Sequence, residues 1–435
     1  MHQKYTVSTL PYIVVCFHRP SIIQSMKRLQ AYKFELMPNG EQSRTMRQYA
    51  GCCRVVYNKA LAWQNEQYQA DNTFKFSYTK IANLLPQWKT EFAWLKEAPS
   101  QTLQQSLKNL ESSFRNFFAK RADFPKFKKK GMSDSFRFPQ GFKIEQQNNR
   151  VFLPKLGWIG YRNSREMLGV AKNITVSKKC GKWYASIQTE REVAQPEHPS
   201  TSIIGVDVGI ARFATLSNGQ VFEAVNSFKQ KQTRLARYQR ALSRKVKFSN
   251  HWKKQKGKIT QLHSAIANIR RDYLHKTTST ISQNHAMIVI EDLQISNMSK
   301  SAKGTIETKG RNVKAKSGLN RSILDQGWFE FRRQLEYKQA WAGGGVIAVN
   351  PRNTSRTCTC CHHVAKENRL TQAKFECVEC GYAENADLVG AINILAAGHA
   401  VLARGVTVQQ DCTVKREPTE GIRKSSREPV GIPAL

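Results

Sequence analysis

Acidic side chains are scarce in this chain. Its 435 residues carry 32 Asp and Glu against 69 Lys and Arg, a formal net charge of +37. The excess runs through much of the sequence rather than one tail. A bland basic protein carries only a few extra positive charges, so this imbalance implies a polyanionic partner, nucleic acid rather than a membrane surface. Long apolar runs are also missing. Nothing approaches eighteen consecutive apolar residues, so no transmembrane span is expected. The apolar stretch PYIVVCF at 11–17 is interrupted by His18 and Arg19, and no small-residue cleavage site follows. That argues against a secretory signal. Residues 1–25 read instead as an unstructured leader, or as sequence upstream of a true start near Met26. There is no internal repeat. Ten cysteines in a long basic chain do not make a secreted disulfide scaffold. Cys16, Cys52, Cys53, Cys180, Cys360 and Cys412 are scattered and read as ordinary reduced thiols.

What is present is enough apolar residue, 40% of the chain, for two or three domains with real cores. In AYKFELM, Tyr32, Phe34 and Leu36 alternate with Lys33 and Glu35, the pattern of a half-buried strand. Pro38-Asn39-Gly40 turns the chain, and a helical pattern follows from Glu41. Leu103, Leu107, Leu110, Phe114 and Phe117 recur at helical spacing, with Ser100 as the expected N-cap. FPKFKKKGMSDSFRFPQG, 124–141, is a basic turn interleaved with aromatics. It suits phosphate contact and base stacking, or equally an exposed loop whose Phe residues belong to the core. Strands resume in RVFLPKLGWIGY, NITVSKK and KWYASIQTE, and REVAQPEHPSTS reads as a Pro-containing linker that ends the first domain.

The second domain opens on IIGVDVGI, a buried β-branched strand with Asp207 in its middle. An unpaired carboxylate there costs several kcal/mol, on the order of other buried charges. Asn218-Gly219 signals a hairpin, and a long basic helical region spans about 227–284. HAMIVIEDL is another buried strand, with Glu291 at its C-terminal end. KSAKGTIETKGRNVKAKSG reads as a polar, mobile segment. LNRSILDQGWFEFRRQLEYKQAWAG reads as one amphipathic helix with Trp328, Phe331 and Leu335 on one side. GGGVIAVN is a third strand. NADLVGAINILAAGHAVLA is apolar and helical from about Asp387, and the polar remainder reads as a disordered tail.

Strand, hairpin, helices, parallel strand and a late acid-bearing helix match the RNase H-like plan. That plan sets the first two acid-bearing strands side by side and covers them with the helix, so Asp207, Glu291 and Asp387 converge. Three anions need neutralising. Two Mg²⁺ ions, with hard oxygen ligands at roughly 2.0–2.1 Å and about 3.5–4 Å apart, suit a phosphodiester, one activating a water and the other stabilising the leaving 3′ oxygen. Competing readings exist for each acid. Glu291-Asp292 also suits a loop cap, and Asp387 a helix first turn. GVDVGIARFATLSNG resembles the first phosphate loop of actin-like ATPases as well. That rival requires a second Gly-rich, Asp-containing loop, which is missing.

CTCCHHVAKENRLTQAKFECVEC holds Cys358-x-x-Cys361 and Cys377-x-x-Cys380, with fifteen residues between the pairs. This is zinc-ribbon spacing. Four thiolates at roughly 2.3 Å close a tetrahedron around one structural Zn²⁺. Cys360 breaks the two-residue spacing, and His362 and His363 read as bystanders.

The stretches YKFELMPNGEQ, WLKEAPSQTLQQSLKNLESSFRNFF, FPKFKKKG, IIGVDVGI, VIEDLQISNM, LNRSILDQGWFEFRRQLEYK, NPRNTSRTC and CGYAENADLVGAINI resemble, in order, the TnpB (OrfB transposase) family of transposon-encoded RNA-guided nucleases, relatives of the type V CRISPR effectors. The resemblance implies a multidomain α+β and α/β fold. It comprises a wedge-type β-barrel (26–50 and 133–198), a helical recognition insertion (51–132), and an RNase H-like RuvC nuclease domain (199–350 and 382–399). A zinc-ribbon module (351–381) interrupts the nuclease domain, and 400–435 is a tail. It implies DNA cleavage directed by a guide RNA from the transposon end, on double-stranded DNA beside a short transposon-adjacent motif. The protein would act in the prokaryotic cytoplasm, associated with the nucleoid. The family's catalytic acids fall on Asp207, Glu291 and Asp387, and its zinc ligands on Cys358, Cys361, Cys377 and Cys380. There are departures. Asn385 stands where another Asp is usual, Val389-Gly390 where Asn-Ala is usual, and His362 where Gly is usual. Asn385 removes a charge near the metals. Two other outcomes share these motifs: a nuclease-inactive DNA-binding regulator, in which one acid would be expected to be lost, and a strand-transferring transposase.

Overall fold

The computed structural model describes residues 25–132, 134–305 and 307–404. All of the expected leader but Ser25, and nearly all of the expected tail, lie outside them. The chain divides between Gln195 and Pro196 into two units, inside the linker that the sequence suggests.

The first unit contains strand β1 (Ser25–Met37), helices α1 (Gly40–Ala70), α2 (Tyr78–Ala82), α3 (Leu85–Glu91) and α4 (Ser100–Phe118), and strands β2 (Ser135–Phe138), β3 (Lys143–Glu145), β4 (Arg150–Leu153), β5 (Gly157–Tyr161), β6 (Val170–Lys179) and β7 (Lys182–Ala194). The strands form one antiparallel sheet in the order β2-β6-β7-β1-β5-β4-β3. Tyr32, Phe34 and Leu36 of β1 are buried, as the alternation requires. β1 pairs with β7 from Ser25↔Ala194 to Leu36↔Trp183, so the last strand continues through residues that the sequence suggests are linker. A capping box opens α1. The Gln42 amide N–H donates to Asn39 Oδ1 at 2.8 Å, and the Asn39 N–H to Gln42 Oε1 at 3.1 Å. Helix α1 then runs unbroken through the expected domain boundary at 50/51. Helix α4 packs on α1 through Leu103, Leu107, Leu110 and Phe114. Pro99, not Ser100, occupies its N-cap position, and the Ser100 hydroxyl accepts from Lys89 Nζ instead. Burial pushes the Cys52 and Cys53 thiols up to about 11 and about 12, which suits inert core residues. In the basic turn, Phe124 packs edge-on against Phe114 and Phe117, while Phe127 is half exposed.

The second unit contains β8 (Ile203–Val208), β9 (Arg212–Leu216), β10 (Val221–Glu223), α5 (Ser227–Ser243), α6 (Asn250–Asn284), β11 (Met287–Glu291), α7 (Ile295–Met298), α8 (Val313–Gln326), α9 (Trp328–Ala342), β12 (Gly345–Val349), β13 (Lys374–Glu376), β14 (Ala383–Asn385) and α10 (Ala386–Ala403). Five strands form a mixed sheet in the order β10-β9-β8-β11-β12. β8, β11 and β12 are parallel, β9 is antiparallel to β8, and β10 is antiparallel to β9. One face carries Ile204, Val206, Ile288 and Ile290 against Leu274 and Ile281 of α6 and Phe331 and Leu335 of α9. The other face carries Val289, Ile347 and Val349 against Ile394 of α10. Helix α10 is long and apolar enough by composition to cross a membrane; here it packs on β8, β11 and β12.

Three boundaries differ from the sequence reading. The stretch expected as one helix from Leu319 is two, because Gly327 adopts φ +75° and breaks it. The cysteine segment extends past 381, since β14 pairs with β13 through Asn385↔Lys374. Helix α10 continues to Ala403, into the expected tail.

Candidate functional site

Side chains alternate along β8, so Val206 enters one core while Gly205 and Asp207 face α10. The approach is close. A β-carbon on Gly205 would meet the Ala391 carbonyl at 2.2 Å, and one on Gly398 would meet Val289 Cγ2 at 2.4 Å. Glycine at these positions lets the helix lie directly on the strands. A β-carbon on Gly390 would stand 2.9 Å from Asp207 Oδ2, so the bare backbone at 390 leaves room for that carboxylate. This is what the departure at 390 does locally. Val389 is fully buried beside Cys358, Phe375 and Cys377.

Glu291 ends β11, the parallel neighbour of β8. Its Oε1 accepts a 2.6 Å hydrogen bond from the Thr354 hydroxyl. The turn carrying Thr354 is tied to α10, because Asn393 Nδ2 donates to the Thr354 and Thr357 carbonyls at 2.8 and 2.7 Å. Asp387 lies in the first turn of α10. Asn385 is that helix's N-cap, its side chain accepting from the Asp387 amide at 3.0 Å. Its structural task is to hold the backbone that carries Asp387.

Asp207 feels the charge of both other acids. The Asp207 carboxyl is pushed up to about 7, first by burial, then by the charges of Glu291 and Asp387, against a lowering by Arg369. Burial also raises Glu291, opposed by the Thr354 hydrogen bond and by Arg369. Arg369 reaches Asp387 Oδ1 at 3.9 Å and is anchored by an Nη2 hydrogen bond to the Gln372 carbonyl at 3.1 Å. A buried carboxylate whose charge is disfavoured by its neighbours calls for a cation, and hard oxygen donors suit Mg²⁺. The donor set therefore fits that metal. Among the described residues, only the cysteine set brings three or more Cys, His, Asp or Glu ligand atoms within 4.8 Å of one another. The three carboxylates do not pack that tightly.

Cys358 and Cys380 sulfurs stand 3.6 Å apart, as do those of Cys361 and Cys377. A tetrahedron with 2.3 Å Zn–S bonds has edges of about 3.8 Å, so the four thiolates fit one zinc ion. Each pair forms a knuckle. The His362 N–H donates to the Cys358 carbonyl and the Gly381 N–H to the Cys377 carbonyl. His362 at φ +62° and Gly381 at φ +72° take the same left-handed position. His362 thus stands where the geometry favours Gly. Cys360 is exposed and its amide donates to Cys358 Sγ. Asn368, fully buried, bonds the Arg356 and His363 carbonyls and the Val378 amide.

Sequence reasoning missed Thr354 and Arg369. Thr354 lies in NPRNTSRTC, where nothing local marks it as a partner of Glu291. Arg369 sits between the cysteine pairs, where no local pattern separates it from other surface arginines.

Three family models match the chain: OrfB_IS605, described as "Probable transposase", over 186–302; a Cas12f1-like TNB domain over 328–394; and an OrfB_IS605 helix-turn-helix domain over 26–73. In the last stretch the structure has β1 and one continuous helix. An Escherichia coli (strain K12) protein, provisionally named RNA-guided DNA endonuclease InsQ, is 64% identical over 403 residues, 92% of this chain and all of that protein. A Streptomyces pristinaespiralis protein, provisionally named RNA-guided DNA endonuclease, is 32% identical over 95% of this chain and all of its own length. The fold is similar to that of Cas12f1 in a cryo-EM complex with sgRNA and target DNA: TM-score 0.53 at 12% identity, covering 85% of this chain and 99% of that one. With a full-length relative at this identity, the chain belongs to the OrfB_IS605 (TnpB) family of transposon-encoded proteins.

Proposed function

We propose that the chain is an RNA-guided, Mg²⁺-dependent DNA endonuclease of a transposon. The observation that carries this reading is the placement of Asp207, Glu291 and Asp387 on two adjacent parallel strands and the helix laid across them, where the charges of Glu291 and Asp387 both act on the buried Asp207. The names of the E. coli and Streptomyces relatives support guide RNA and DNA as partners, and the net charge of +37 supports backbone binding. Pairing with the guide supplies the target sequence, while the protein holds the heteroduplex through its backbones beside a short adjacent motif. The reaction takes place in the bacterial cytoplasm.

Asp207, Glu291 and Asp387 hold the catalytic ions in a RuvC-type site. When bound, Mg²⁺ neutralises charge on the scissile phosphodiester and lowers the pKa of the attacking water. Thr354 fixes one oxygen of Glu291 and so sets the direction of the other. Arg369 adds positive charge on the same side as Asp387, where negative charge develops on the phosphate. Cys358, Cys361, Cys377 and Cys380 hold one Zn²⁺ and make the segment from 351 a zinc ribbon whose task is to position Arg369 and Thr354. The seven-stranded sheet of the first unit is the wedge-type barrel, and α1–α4 form the recognition insertion.

The test is cleavage of duplex DNA matching the copurified RNA, in Mg²⁺. Asp207→Ala, Glu291→Ala and Asp387→Ala should each abolish cutting while binding of RNA and DNA persists. Full cutting by any of the three contradicts the assignment of that acid.

A further inference from the structure

Helices α5 and α6 form an antiparallel hairpin with its own core of Leu235, Leu262 and Ile266, to which no sheet residue contributes. The topology fixes where it points. β10 runs in the same direction as β8, because each is antiparallel to β9. Helix α5 therefore starts at the end of the sheet that carries Asp207 and Glu291. Its first turn is anchored by Asp325, which accepts from Ser227 Oγ at 2.9 Å and from the Phe228 amide at 2.8 Å. The C-terminal half of α6 packs on the sheet through Leu274 and Ile281. The remaining half pairs with α5, whose 17 residues extend about 25 Å beyond the carboxylate end.

The tip of this hairpin does not look like an ordinary solvated turn. No Asp or Glu occurs between Glu223 and Asp272, while Arg244, Lys245, Lys247, Lys253 and Lys254 surround the turn. Within that basic field two apolar side chains stand in solvent, Val246 at 79% and Phe248 at 66% exposure. Phe248 has φ +69°, a left-handed conformation that normally selects Gly or Asn. Its ring lies 5.5 Å from that of Trp252, with Lys247 over Phe248 and Lys256 over Trp252. Ser249 caps α6 by accepting from the Trp252 amide at 3.1 Å, so the pair sits on a rigid base.

We propose that this tip, residues 244–252, is a base-stacking site for unpaired DNA. Cations attract the backbone, and an exposed ring offers a face to a base that has lost its stacking partner. Duplex DNA hides those faces and would gain only from the cations. The inference rests on the guide-directed reading above, in which pairing with the guide leaves one DNA strand without a partner. The hairpin rises from the end of the sheet to which a strand must come to be cut.

The experiment measures binding of fluorescein-labelled dT20, rU20 and a 20-bp DNA duplex to the purified full chain in buffer without added Mg²⁺, where cutting plays no part. Phe248→Ala should weaken dT20 about tenfold, change duplex affinity less than twofold, and leave the salt dependence of dT20 binding unchanged, since no charge is removed. Phe248→Trp should restore dT20 affinity. Unchanged dT20 affinity, or an equal loss on the duplex, overturns the proposal without touching the carboxylate assignment, which is read separately from cleavage. A loss confined to rU20 overturns the choice of DNA. A shift in oligomeric state by Phe248→Ala with unchanged dT20 binding makes the tip a protein contact and likewise overturns it.

Discussion

A carboxyl group pushed up to about 7 works against the fold at neutral pH. Asp207 is in that position because of burial and the neighbouring Glu291 and Asp387. Its folded pKa lies above the unfolded value of about 3.9. The folded state therefore binds the proton more tightly, and the associated stability is present below about pH 4 and lost as pH rises towards and through 7. Asp207→Asn removes the titration. Without divalent ions, this variant should melt higher than the wild type at pH 8 by the equivalent of a few kcal/mol, on the order of the shift itself. The gap should close towards pH 4. Added Mg²⁺ should raise the wild type and not the variant. Identical melting curves at pH 8 without added Mg²⁺ would mean that the charge is relieved by the protein alone. Asp207 was legible in the sequence because an acid in an apolar β-branched strand is anomalous. Gly390, which makes room for it, was legible only as a departure. Its purpose needs the helix–strand contact, which no local pattern encodes.

At the scale of elements, the strands were read well because each is a short β-branched or alternating run bounded by turn residues. Long-range partners were not. Gly327 lies inside a continuous amphipathic pattern, and only its backbone angle ends one helix and begins the next. Thr354 and Arg369 reach the carboxylates across 63 and 18 positions of sequence, to Glu291 and Asp387. The cysteine element carries both its own knuckles and Arg369, so its metal should matter to the distant chemistry. Zinc binding contributes on the order of 10 kcal/mol to a small thiolate site. We expect one zinc per chain by mass spectrometry or plasma emission. Cys377→Ser should lose it and should also lose DNA cutting, although no carboxylate has changed. A zinc-free variant that cuts at the normal rate would separate the module from the active site.

For the whole molecule, charge is the dominant legible property, with 69 Lys and Arg against 32 Asp and Glu. Binding that rests on phosphate neutralisation releases counterions, so log affinity for duplex DNA should fall by about 0.9 per neutralised phosphate per tenfold salt. With six or more contacts, affinity should fall by about a thousandfold between 50 and 200 mM salt. A flat response would place recognition elsewhere. The two-unit division was legible from the Pro-containing stretch near 195, but β7 runs on to Ala194, past the alternating pattern of KWYASIQTE. Both follow from the same fact: pairing with β1, not local composition, sets the length of β7.

Cleavage by this chain requires three acids to share divalent ions, and anomalous diffraction from crystals of the guide RNA and target DNA complex soaked in Mn²⁺ tests that directly. Two anomalous peaks should appear at bonding distance from Asp207, Glu291 and Asp387, beside a DNA phosphate. Cutting-competent crystals with Mn²⁺ bound elsewhere and no peak among these carboxylates would contradict that requirement.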